Sequence, residues 1–313
     1  MSVKLVPAAN RVYQEFRTDF FKSLDAAPSL WPEYAMEMPS TSKSTLHAWL
    51  ANNGSVREWL GPRRAKQMST RSWEIVNKKY ELSYAFERDQ IDDDLSGLLA
   101  SAIASARDQG EKWARHADTL MATVLEAGTT ALCWDGQFFF DTDHPVDIDS
   151  YGSTATYSNS ESNALTFANF NTAMVTLRGW KNEEGSPLVM ASGLILMVPP
   201  ALALTAKQIV EIDTLTPGTA YGLFGTAGVS KNPFVGAARV VVNQFLTDTT
   251  RWYLIASGMS MKPLVLQRRR PLELGDSGTS SDLYWKEEKI EIGGSARYNG
   301  SYGLPQLAYT SKP

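Results

Sequence analysis

Residues 92–145 constrain this chain more than any other stretch. They open with Asp92, Asp93 and Asp94 and end in Phe138-Phe139-Phe140-Asp141-Thr142-Asp143-His144-Pro145. Between them Leu95, Leu98, Leu99, Ala102, Ile103, Ala106, Trp113, Ala117, Leu120, Met121, Val124 and Leu125 recur at spacings of three and four. That is the apolar stripe of one helix face. The aspartates sit where a helix N-terminus favours anions, and Gly128 sits where a helix-ending glycine is expected. At 1.5 Å per residue the helix would be about 50 Å long, against a usual length of ~11–12 residues. Such a girder suits a mechanical role, whereas the Asp-Thr-Asp-His behind it resembles chemistry.

A chain of 313 residues with 43% hydrophobic residues can bury one large core or two of ordinary size. Its formal net charge of -4 argues against tight, sequence-independent binding to phosphates. One cysteine, Cys133, excludes an internal disulfide framework and fits a reducing compartment. No apolar run behind a basic start is present, so no secretory signal is expected. The run from Leu194 to Leu204 is interrupted by Pro199-Pro200 and is far short of the ~20 residues of a membrane span.

The first 45 residues read as an arm. Val12, Phe16, Phe20 and Leu24 recur every four residues and predict a short amphipathic helix. Its stripe needs a partner, either the chain's own body or a neighbour. Trp49 and Trp59 flank the turn signal Asn52-Asn53-Gly54 and are expected in the core. In residues 71–92, Tyr80, Leu82, Tyr84 and Phe86 alternate with polar residues, and Trp73 and Ile75 precede them across Asn77-Lys78-Lys79. The pattern predicts a long β-hairpin, which alone would be unstable in water. Beyond the girder, strands are expected at Leu132–Phe140, Leu188–Val198, Ala238–Phe245, Trp252–Ala256 and Leu264–Gln267, with a closing pair at Ile290–Ile292 and Ser295–Tyr302. Helices are expected over Leu165–Trp180 and from Pro199-Pro200 to Ile212. Residues 213–236 read as a long loop. The fold class is α+β without βαβ regularity, with a unit at about 146–275 inserted into another.

Asp141, Asp143 and His144, with Asp135 nearby, are the candidate ligands for a divalent metal. However, His-Glu-x-x-His, Cys-x-x-Cys and the calcium loop are all absent. The competing reading is a strand end where aspartates bond to nearby backbone. Cys133 with His144 or His116 could form a nucleophile–base pair, but a lone cysteine between Leu132 and Trp134 reads as a small buried hydrophobe. Gly222, Gly225, Gly228 and Lys231 lack the strand–loop–helix frame of a phosphate loop. Arg268-Arg269-Arg270 reads as a strand end or a set of salt-bridge partners. No constellation amounts to an active site.

Several motifs in order resemble the Mu-like phage major head subunit family, the gpT type. They are Trp49-Leu50 with Arg57-Glu58-Trp59-Leu60-Gly61-Pro62-Arg63, Asn77-Lys78-Lys79-Tyr80-Glu81, and Arg88-Asp89-Gln90-Ile91-Asp92-Asp93-Asp94. Next come Ala127-Gly128, Asp135-Gly136-Gln137-Phe138-Phe139 and Thr142-Asp143-His144-Pro145. Val198-Pro199-Pro200-Ala201-Leu202 and Asn243-Gln244-Phe245-Leu246-Thr247-Asp248 complete the set.

The resemblance implies the tailed-phage capsid fold of the Hong Kong 97 type. Residues 1–45 would be the arm and 46–145 a peripheral domain, with an extended E-loop at 69–93 and a spine helix at 94–128. Residues 146–275 would be the axial domain, and 276–313 would return to the peripheral one. The implied product is a shell of hexamers and pentamers of this chain around double-stranded DNA. Its implied partners are a scaffold protein, a portal and a possible decoration protein, with no cofactor, metal, membrane or catalytic residue. Its place would be the virion capsid, with assembly in the host cytoplasm. The expected contacts between subunits are Trp73, Ile75, Lys78, Lys79, Tyr80, Leu82, Tyr84 and Phe86 on the E-loop, and Val12, Phe16, Phe20 and Leu24 on the arm. The alternatives are a cargo-holding compartment of the same fold, an encapsulin, and a metal-dependent enzyme using Asp141, Asp143 and His144.

Overall fold

The computed structural model describes residues 2–50, 70–89, 95–146, 156–180, 193–215, 230–259, 261–278 and 280–313. Trp59, Asp92 to Asp94 and most of the 213–236 loop lie outside these. The chain begins with α1 (Ser2–Ala26), β1 (Ala35–Pro39), β2 (Ser44–Leu50), β3 (Thr70–Val76), β4 (Lys78–Glu87) and α2 (Leu95–Ala127). Three short strands follow, β5 (His144–Pro145), β6 (Thr156–Tyr157) and β7 (Ser160–Glu161), then α3 (Phe167–Gly179), β8 (Leu194–Val198) and α4 (Ala203–Val210). Next are β9 (Thr214–Leu215), β10 (Ser230–Lys231), β11 (Arg239–Val242), β12 (Trp252–Ala256) and β13 (Leu264–Asp276). The chain closes with α5 (Asp282–Glu287), β14 (Lys289–Tyr302) and β15 (Ala308–Ser311).

The girder is a single helix of 33 residues. Ala102, Ala106, Trp113, Met121 and Leu125 of its stripe are buried in the first core, with Ala122 beside them. Helix α1 is longer than its stripe predicts, 25 residues, and lies against α2. Val12, Phe16 and Phe20 are buried in the same core, with Phe16 edge-on to Phe86 at 6.3 Å. Ser23 Oγ donates to the Arg107 carbonyl (2.9 Å), and Arg107 pairs with Asp19. Asp118 of α2 holds the chain leaving α1. One of its carboxylate oxygens accepts the N–H groups of Leu30 (2.8 Å) and Trp31 (2.7 Å) and the Ser29 hydroxyl (3.2 Å).

Both helices cover one face of a four-stranded sheet of order β1-β13-β14-β4. Here the structure corrects the predicted hairpin. Strand β4 pairs antiparallel with β14, and β3 pairs antiparallel with β2, so β3 and β4 are not partners. Asn77 is a buried anchor where the chain passes from a ribbon into a sheet. Its amide donates to Ser40 Oγ and the Ser42 carbonyl, and its own oxygen accepts from Gln267. Period-two alternation reveals which face of a strand is buried, not which strand lies beside it. The closing strand pair is likewise one continuous strand, β14. Gly293 and Gly294 run through it, and Gly294 lets Trp113 and Leu272 approach closely.

The second sheet has order β11-β8-β12-β15-β7. All five residues of β8 and of β12 are buried, as in strands covered on both faces. Leu194, Leu196, Val198, Trp252, Leu254 and Tyr309 face a core shared with α3 and α4. Ile195, Met197, Tyr253, Ile255 and Ala308 face the first core. The expected 146–275 unit therefore has different edges: residues 264–276 belong to the first sheet, and β15 supplies the second. Lys312 pairs with Asp248 at 2.9 Å just beyond β15.

Candidate functional site

The turn after α2 is built by its aspartates. Asp141 is spent on backbone, accepting from the N–H groups of Thr142 (2.7 Å) and Phe138 (3.3 Å). His144 turns inward, its side chain fully buried, and its Nδ1 meets Asp135 Oδ2 at 2.6 Å. The imidazole stacks on Tyr157 with ring centroids 5.0 Å apart. Asp143 is exposed, so the three expected ligands point to different places. No group of three metal-ligating side chains occurs among the described residues.

Cys133 is buried, its nearest polar partner the Gly303 carbonyl at 3.8 Å. Burial, with Asp135 nearby, pushes its thiol well above the usual range. A nucleophile needs the opposite shift. His116 is no base for it either, because its Nδ1 lies 2.6 Å from the Tyr298 hydroxyl, and burial lowers its pKa.

The expected contact residues divide sharply. Tyr80, Leu82, Tyr84 and Phe86 all face the first core. Tyr80 lies against His116, 4.4 Å between centroids, and the Tyr84 hydroxyl donates to Asp108. Val12, Phe16, Phe20 and Leu24 are in or against that core too. In the single chain these faces are thus covered by its own body, the alternative already open for the arm. Trp73 donates to Ser301 Oγ (2.8 Å) and Ile75 is buried with Val265 at the root of the ribbon. Lys78 and Lys79 alone of the twelve are exposed. The apolar side chains that reach solvent are others, including Leu46 (65%) and Val76 (49%) on the ribbon and Trp285 (87%) on α5. Nothing in the sequence marks Leu46 as a contact, because Trp49 breaks the alternation of residues 44–50.

A family model described as "Mu-like prophage major head subunit gpT" matches residues 9–164, 160–246 and 233–313, nearly the whole chain. The chain belongs to that family. It is 37% identical to the Mu-like prophage FluMu major head subunit of Haemophilus influenzae over 301 residues, 95% of this chain and 70% of that protein. It is 35% identical over 146 residues to the major capsid protein of Escherichia phage Mu, 46% of this chain and 47% of that protein. The match thus spans about half the length of the Mu protein. Among solved structures, the procapsid of bacteriophage JBD30 aligns with a TM-score of 0.54 at 22% identity, covering 97% of this chain and 75% of that one. That likeness establishes the capsid fold, α+β with a long spine helix. The family is one of structural head proteins rather than enzymes.

Proposed function

We propose that this chain self-assembles into the hexamers and pentamers of an icosahedral shell around double-stranded DNA. Assembly takes place in the host cytoplasm on a scaffold protein, with a portal at one vertex and room for a decoration protein outside. The observation that carries this reading is the β2–β3 ribbon. Its strands pair with each other and, among the described residues, with no third strand. A two-stranded ribbon is marginal by itself in water. Trp73, Ile75 and Asn77 hold its root, whereas Leu46 and Val76 stay exposed. We read the strands Ser44–Leu50 and Thr70–Val76 as belonging to the extended loop of the family fold, expected at 69–93, with their exposed face laid across a neighbour. Permanent interfaces bury on the order of 2,000–5,000 Å², and many weak contacts multiply in a closed shell. A net charge of -4 suits a wall that faces DNA without gripping it.

Negative-stain micrographs of the purified protein should show closed particles. Leu46→Asp should abolish them while leaving the melting temperature within about 2 °C, because Leu46 is exposed in the single chain. Wild-type protein that remains monomeric at every concentration would refute the reading. Closed shells that retain protein cargo and no nucleic acid would move it to a cargo compartment.

A further inference from the structure

The face of the four-stranded sheet turned away from α1 and α2 carries a charge pattern that folding does not explain. Lys79, Arg297 and Arg270 stand abreast on β4, β14 and β13, Lys79 opposite Arg297 and Arg297 opposite Arg270. Neighbouring strands are about 4.8 Å apart, and like charges directly opposed destabilise a sheet. Arg269 adds an exposed cation where β13 bulges. Only Arg270 is relieved, bonding Ser295 Oγ at 3.0 Å and lying 3.7 Å from Glu273. Among the described residues, Lys79, Arg269 and Arg297 make no ion pair.

The other end of the same sheet has the opposite imbalance. Its cations are taken: Arg88 by Glu288 (3.0 Å), Lys289 by Glu287 (3.2 Å) and Lys286 by Asp282 (3.8 Å). Glu87 and Glu291, on the face turned away from α1 and α2, have no ion pair among the described residues. Just before β14, α5 displays Trp285, at 87% the most exposed large apolar side chain described. The display is built. Ser281 Oγ accepts the Tyr284 N–H at one end of α5. At the other, Glu288 closes the helix with φ 52°, a conformation that costs a side-chain-bearing residue free energy. The Arg88 N–H donates to the Glu288 carbonyl (2.8 Å), tying the helix to β4.

Lys79 and Glu87 lie eight residues apart on one strand, about 26 Å at 3.3 Å per residue. The two patches cannot meet within a subunit. We propose that they meet between copies: the Trp285 knob of one subunit seats on the Lys79–Arg297–Arg270 row of the next. Glu87 and Glu291 then face Lys79 and Arg297, and the indole offers its ring to a guanidinium, a favourable pairing. Two different patches in contact make a head-to-tail interface, the kind that closes into rings. The inference rests on the reading of the chain as a shell subunit and adds a contact separate from the ribbon.

Cys133 is the chain's one cysteine and is buried, so added cysteines report cleanly. Particles carrying Trp285→Cys and Arg297→Cys together should give a ladder of disulfide-linked multimers under mild oxidation, and either change alone should not. Lys79→Glu with Arg297→Glu should cut particle yield at least about tenfold, since like charges brought together cost several kcal/mol. Adding Glu87→Lys and Glu291→Lys should restore it. An unchanged melting temperature separates lost assembly from lost folding. Where wild-type protein forms particles, the absence of a ladder from the cysteine pair, of a loss on charge reversal or of its rescue would overturn this contact and leave the shell reading standing. Intact particles that lose DNA on charge reversal would assign the cations to phosphates and also overturn it. Wild-type protein that forms no particles would sink both.

Discussion

One hydrogen bond, from His144 to Asp135, decides how the turn after the spine helix should be read. Residue types in one short run made Asp141, Asp143 and His144 look like one ligand set. Which carboxylate meets the imidazole depends instead on the tight Asp135-Gly136 turn, where Gly136 has φ 88°, open to glycine at little cost. An Asp-Gly pair is a turn signal in any sequence, whereas the direction in which His144 would point was not legible. Asp135→Ala leaves a buried imidazole nitrogen without its partner and should cost about 1–3 kcal/mol of stability. Asp143→Ala, on an exposed side chain, should stay within about 0.5 kcal/mol. Urea titrations of both variants test this. Equal losses would mean that Asp143 holds something the turn geometry does not account for.

Elements were easier to find than their neighbours. The spine was legible as one long helix, ending where Gly128 was expected to stop it and running unbroken over the described residues Leu95–Ala127, because a stripe repeated over nine turns has no other explanation. What the stripe could not disclose is how closely another helix would cross it. At Gly110 an added Cβ would stand 2.6 Å from the Phe20 carbonyl oxygen and 3.0 Å from the Leu24 nitrogen, both backbone of α1. Gly110→Ala improves helix propensity by up to about 1 kcal/mol. It also forces two packed helices apart, which typically costs about 1–3 kcal/mol. The crowding atoms are main chain and cannot rotate away, so net destabilisation is expected, read as a lower urea midpoint. A gain in stability would show that α1 rides loosely on the spine. The β3–β4 hairpin was misread for a related reason. Both strands were correctly seen, yet each lies beside a strand distant in sequence, β2 across residues 51–69 and β14 some two hundred positions on.

At the scale of the whole molecule, the five-stranded sheet ties two cores into one. Its alternate residues serve opposite sides, Leu254 the second core and Ile255 the first. Its inner strands β8 and β12 are buried on both faces and leave no free surface to act as a boundary. The inserted unit expected at 146–275 would lack β15, which pairs with β12. It would also expose Ile195, Met197, Tyr253 and Ile255, all buried in the full chain. Four such side chains represent roughly 6–12 kcal/mol of burial at ~1.5–3 kcal/mol each, comparable with the total stability of an ordinary domain. Residues 146–275 expressed alone should therefore lack a cooperative unfolding transition. In the unassembled full chain, Leu254→Ala and Ile255→Ala should lower the same single calorimetric transition, each by about 2–5 kcal/mol of stability, although they face different cores. Two separable transitions, one responding to each variant, would mean that the sheet is a hinge and that the two cores unfold independently. A sheet clamped on both faces instead makes the subunit move as one stiff piece. Strain between neighbours would then fall on the ribbon and on α5, where Leu46, Val76 and Trp285 are exposed.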